Sequence, residues 1–140
     1  MSVELINILG LVLIALVLGG MMFFACIMTP LVFTKLPPEI SGPFIREAFP
    51  VYSLAMAALV FTAGIIFIGT PSSLLLFLVF AMFIFGWKVL MPIINKYRDA
   101  QLAGDSSCTK PFERMHRTSV ILNTFQLILV AVVFIQLVNQ

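Results

Sequence analysis

Long runs of apolar residues, broken at three places by charge, proline or glycine, dominate the chain. The runs cover about 5–33, 51–68, 72–94 and 118–138, each long enough for a helix crossing a hydrocarbon layer about 30 Å thick, which needs roughly 20 apolar residues. None alternates between apolar and polar positions, so a transmembrane β-barrel is excluded. The pattern predicts an all-α fold, a four-helix transmembrane bundle occupying 1–140 as one domain. Gly69-Thr70-Pro71 is too short for anything but a tight turn, so the second and third helices must be antiparallel neighbours.

Composition agrees: 61% of residues are hydrophobic and 10% charged, against about 25% charged in an ordinary soluble domain. The formal charge of +2 is too small for a nucleic-acid partner, and the bilayer is the expected one. The first run is too long for a secretory signal and no basic residue precedes Lys35, so it is expected to remain in the protein. Cys26 lies in an apolar run and Cys108 in a charged segment, with no metal-ligand spacing between them; reduced thiols are expected.

Charge gives the orientation. Lys35, Arg46, Lys96, Arg98, Lys110, Arg114 and Arg117 all fall in the two longer links, and none lies in the short turn or outside the spans at either terminus. By the positive-inside rule the longer links are cytoplasmic and both termini are on the other side, in a plasma or bacterial inner membrane.

Candidate chemistry is sought where polar groups enter the spans, since these are costly and usually face the bundle interior. His116, Ser119, Asn123 and Gln126 recur at helical spacing on one face of the fourth span. Lys88 lies inside the third span, about two turns before Asn95; either it joins a polar interior or its stem snorkels to the interface, with Trp87 as an interfacial aromatic. Adding Tyr52 gives a binding layer in the cytoplasmic half, with Ser53, Ser119 and Thr62 better explained by helix packing. Pro30 and Pro92 are read as helix ends, with a hydrated vestibule as the alternative, and Pro50 as a kink. Pro30-Leu31-Val32 leading to Lys35 is echoed by Pro92-Ile93-Ile94 leading to Lys96, as two parallel helix-hairpin repeats would produce.

Leu36-Pro37, Gly42, Phe49-Pro50-Val51-Tyr52 and the run Phe112-Glu113-Arg114-Met115-His116-Arg117-Thr118-Ser119 with Asn123 resemble the small membrane proteins grouped with transmembrane protein 205, whose domain has no established activity. The most specific part is F-x-x-x-H-x-x-S-x-x-x-N. The resemblance implies a four-helix membrane domain with Phe49, Pro50, Tyr52, His116, Ser119 and Asn123 as signature positions, and its eukaryotic members' association with drug tolerance implies transport or trafficking. Members often carry a histidine early in the first span, where this chain reads Ile6-Asn7-Ile8-Leu9.

Three functions follow. The first is a non-enzymatic module that binds a small solute or serves its transport, as a homo-oligomer or within a larger membrane complex. A haem-binding redox protein would use His116 as axial ligand and a neutral Lys88 as its partner. A structural or assembly subunit would need no chemistry. No nucleophile motif, phosphate loop, metal cluster or paired carboxylates are present, and Glu4, Glu39, Glu47, Asp99, Asp105 and Glu113 all lie at or beyond the span ends, so neither an enzyme nor a resident metal is expected.

Overall fold

A computed structural model describes residues 3–139. Four helices take up nearly all of them: α1 Val3–Lys35, α2 Pro38–Ile66, α3 Pro71–Leu102 and α4 Thr109–Val138, with no strand among the described residues. All four are long and apolar enough to cross a membrane.

Proline and glycine set the breaks. Leu36 precedes Pro37 and is extended, because a residue before proline is pushed out of the helical region, and α2 restarts at Pro38. Thr70 is extended before Pro71 for the same reason, and Gly69 takes the left-handed conformation (φ +89°) that completes the turn. The third link, between Leu102 and Thr109, turns on Gly104 (φ +96°). There the Asp105 carboxylate accepts from the Ser107 N–H at 3.0 Å and the Ser107 hydroxyl at 2.6 Å, opening a 3-10 turn at Ser106–Cys108.

The charged links expected between spans are therefore mostly helix. α2 starts at Pro38 rather than near 51, α4 at Thr109 rather than near 118, and α3 runs past 94 to Leu102. Hydropathy marks where a helix leaves hydrocarbon. The hydrogen-bond ladder continues into the polar interface, where Glu, Lys and Arg are good helix formers.

Pro30 and Pro92 also depart from expectation, for both lie inside continuous helical rods. Each is preceded by a π-helical turn, Phe24–Met28 in α1 and Gly86–Leu90 in α3. The widened turn lets the Thr29 N–H reach the Phe24 carbonyl and the Met91 N–H reach that of Gly86. Proline offers no N–H, so the Ala25 and Trp87 carbonyls lose both donors that the next turn would supply. Pro50, like Pro43, lies within α2.

The helices form a closed ring, α1 beside α2, α2 beside α3, α3 beside α4 and α4 beside α1. Ile14, Val17, Val60, Ala63, Leu76, Val79, Val130 and Val133 are fully buried and fill the half nearest the termini with apolar side chains. The two halves of the chain repeat one another: buried Ile14, Val17, Met21 and Val32 of α1 fall in register with buried Leu76, Val79, Phe83 and Ile94 of α3, as do the two π-turns and their prolines. Val60, Ala63 and Phe67 in α2 and its cap correspond likewise to Val130, Val133 and Leu137 in α4. The proline echo in the sequence is thus one part of a longer structural repeat.

At the charged end, Arg46 of α2 donates to Asp99 of α3 at 2.5 Å, and Gly42 leaves room for the Arg98 guanidinium, whose Nη2 lies 2.5 Å from where a Cβ would stand. Side chains facing outward are mostly apolar, as lipid requires.

Packing should separate two leucines two residues apart. Leu76→Ala, at a fully buried site, is expected to lower unfolding stability in mixed micelles by about 2–5 kcal/mol. Leu74→Ala, at a side chain 72% exposed, should cost under about 0.5 kcal/mol in the same assay. In the last link, hydrogen bonds from the Ser107 hydroxyl, the Cys108 thiol and the Ser107 N–H hold the Asp105 carboxyl below the usual carboxylate range. The order this anion gives the link is therefore present above that range and is lost as pH falls through the depressed value. Ser107→Ala should move the Asp105 titration upward in a carboxyl-detected NMR experiment.

Candidate functional site

The polar stripe of α4 spirals from the surface into the core. His116 is exposed at the charged end, its ring stacked on Phe112 one turn away (6.0 Å between centroids, 13° between planes). Ser119 and Asn123 are half-buried, and the Asn123 side-chain N–H donates to the Ser119 carbonyl at 3.0 Å. Gln126 is 1% exposed.

Tyr52 anchors the same region from α2. Its ring stacks on Phe24 of α1 at 4.1 Å and meets Phe83 of α3 edge-on at 6.2 Å, with Phe49 at 6.1 Å. Beside it Ser53 is 1% exposed. Phe49 and Tyr52 lie on one face of α2 because they are three residues apart.

Several hydroxyls within the helices satisfy themselves. Thr62, Thr118 and Thr124 donate to the carbonyls of Ala58, Arg114 and Val120, each four residues back, at 2.9, 3.0 and 2.9 Å. The Ser53 Oγ and the Gln126 Nε2 do not; both are buried without a hydrogen-bond partner. In a bundle interior such groups each cost on the order of 1–3 kcal/mol, so they need an explanation.

The two lie close in depth. Phe24 meets Tyr52 across α1 and α2, and the corresponding approach across α3 and α4 brings Gly86 within 3.7 Å of Leu122, measured from where a Cβ would stand. In that register Gln126 is the counterpart of Met56, one turn from Ser53 along α2. The separation along the bundle axis is therefore about 5 Å. Below this level the apolar core is continuous toward the termini.

Of the residues singled out in the sequence, Tyr52 and Gln126 are thus gathered inside the bundle, with Ser119 and Asn123 along the approach. Asn95 is half-buried on α3 beyond the π-turn. Lys88 is exposed, its ammonium 3.6 Å from the centroid of the Trp87 ring, so with His116 it stays outside the interior. Ser53, read from sequence as packing, is the residue the structure adds. Its signal was adjacency to Tyr52 combined with a place on the buried face of α2, and hydropathy does not distinguish a serine with a partner from one without.

No group of three or more His, Cys, Asp or Glu able to hold a metal exists among the described residues. Cys26 is exposed and Cys108 partly so, and both are free thiols.

The interior therefore offers hydroxyl and amide groups without charge, walled by Phe24, Phe83 and the Tyr52 ring. Among the described residues no Asp, Glu, His, Lys or Arg is buried with them.

No curated protein and no solved structure matches the chain. Residues 12–102, from α1 to the last residue of α3, match the model of a domain of unknown function (DUF4149), which covers more than half of the sequence, and the chain belongs to that family.

Proposed function

We propose that this protein is a non-enzymatic membrane module that binds a small, uncharged, hydrogen-bonding solute in the cytoplasmic half of its bundle. The observation that carries the reading is the pair of buried, unpartnered groups, Ser53 Oγ and Gln126 Nε2, at depths along the bundle axis within about one turn of each other. A neutral donor-acceptor solute would supply both missing partners, whereas an ion would meet no opposite charge there. The basic residues at that end favour the cytoplasmic side by the positive-inside rule.

Entry from the charged end is consistent with Ser119 and Asn123 lying along the approach and with the apolar seal beyond Gln126. The sealed core supports binding over free passage. Transport would need a second conformation in which Val60, Val79, Val130 and their neighbours part.

The likeness to the transmembrane protein 205 group supports the same region. Its most specific segment, Phe112 through Asn123, lies beyond the family match and carries the approach to Gln126. The haem alternative finds its two candidate ligands apart from the interior, His116 against Phe112 and Lys88 over Trp87.

Native mass spectrometry of protein extracted in mild detergent tests the reading. The wild type should carry a small-molecule adduct that is released on unfolding, and the Ser53→Ala/Gln126→Leu double variant should lack it. The double variant should also unfold at equal or higher denaturant, gaining up to about 1–3 kcal/mol per group removed, because it discards unpaired polar atoms. An adduct-free wild type, or an adduct unchanged in the double variant, would overturn the proposal.

A further inference from the structure

Two clefts of similar size open at the charged end, and their electrostatics differ. The first, about 310 Å³, lies between α2 and α3 and includes Glu39, Arg46, Glu47, Arg98 and Asp99. It has three carboxylates against two arginines, with Arg46 paired to Asp99. The second, about 330 Å³, lies between α3 and the first turns of α4 and is lined by Tyr97, Lys110, Pro111, Arg114 and Met115. It has two cations and no acid.

Glu113, exposed between Lys110 and Arg114 on α4, does not line this cleft, and the carboxylates of the adjoining α3 end and link are engaged elsewhere. Asp99 pairs with Arg46, Asp105 accepts from Ser107 and Cys108, and the Arg46–Asp99 bridge is the only ion pair within 4 Å among the described residues. Placement adds to the excess: Lys110 and Arg114 stand in the first two turns of a 30-residue helix that has no acidic residue in its first turn and no side-chain cap. Cations near a helix N-terminus oppose the macrodipole, so this arrangement costs stability unless an anion joins it. A bond from Gln101 Nε2 to Thr109 Oγ1 at 3.4 Å ties the end of α3 to the start of α4.

Depth identifies the anion's source. Val120 and Ile121, both more than half exposed, mark hydrocarbon on the outer face of α4. Arg114 lies six residues nearer the charged end, about 9 Å along the helix axis, at headgroup level. Pro111 and Met115 offer apolar walls and Tyr97 an amphipathic ring of the kind favoured at membrane interfaces.

We propose that the Tyr97, Lys110 and Arg114 cleft binds a phosphate group, presented as the headgroup of an anionic lipid in the leaflet at the charged end. Lys110 supplies a point charge and Arg114 a planar fork that matches phosphate oxygens. The site is separate from the interior layer and does not depend on its solute.

The test is native mass spectrometry of the full chain in nanodiscs of equal phosphatidylglycerol and phosphatidylcholine, scoring which lipid is retained after release. The wild type should retain phosphatidylglycerol, and Lys110→Gln/Arg114→Gln should reduce that preference roughly tenfold or more, as expected for loss of two cations at a membrane surface. Lys110→Gln alone, at an exposed side chain, should give a partial loss with the helical spectrum intact. Arg98→Gln, in the cleft with the acidic excess, should leave the preference within about twofold of wild type. No preference in the wild type, an unchanged preference in the double variant, or an equal loss in Arg98→Gln would overturn the proposal. Displacement of phosphatidylglycerol by millimolar inorganic phosphate would assign the cleft to free anions and overturn the lipid reading.

Discussion

Lipid offers no hydrogen bonds, so every main-chain N–H and C=O within the membrane must find its partner inside the protein. That constraint accounts for most of what is seen. It favours four uninterrupted helices over shorter segments joined by irregular chain, and it explains why Pro30 and Pro92 are absorbed into rods by π-turns instead of ending them. It also explains why Thr62, Thr118 and Thr124 turn their hydroxyls back onto their own helix, where the partner is always within reach.

Against that background the exceptions stand out. A serine and a glutamine without partners would be unremarked at a wet surface, but fully buried among aromatic and aliphatic side chains they are costly. The carbonyls of Ala25 and Trp87, each stripped of its usual donors by a π-turn and a proline, sit in corresponding places in the two halves of the chain. Irregular polarity is thus concentrated on the charged side of the bundle, and the opposite half is sealed by aliphatic packing. A molecule approaching from the charged side meets hydrogen-bonding groups before it meets the seal.

Hydropathy and short-turn chemistry made the four helices legible, because a 20-residue apolar run and a Gly-Thr-Pro turn admit few alternatives. The extensions of α2, α3 and α4 beyond hydrocarbon were not legible. Once a helix reaches the interface its polar residues look like those of a loop, and only the hydrogen-bond ladder tells them apart. The candidate site was half legible. Helical spacing placed Ser119, Asn123 and Gln126 on one stripe, but that stripe crosses from surface to core as the helix tilts and turns, so His116 at its beginning stays exposed while Gln126 is buried. Lys88 shows the same gap between depth and facing: its position in the span was readable, and its direction, over Trp87 and away from the core, was not.

The internal repeat shows how a polar interior can arise in such a bundle without disturbing its frame. Positions that hold the helices together are matched between halves, Val17 with Val79 and Val60 with Val130, and both π-turns are kept. The polar groups are matched only in part, Ser53 with half-buried Asn123. Gln126 corresponds to Met56, whose sulfur packs against Gly20, and Gly86 approaches Leu122 where Phe24 stacks on Tyr52. Met and Gln are nearly isosteric, so a single exchange at that position adds an amide with little change in volume, and the matched aliphatic layers beyond it keep the ring closed. Packing and polarity are therefore set by different residues, so substitutions in the polar set can alter the hydrogen-bonding groups of the interior without unmaking the four-helix frame.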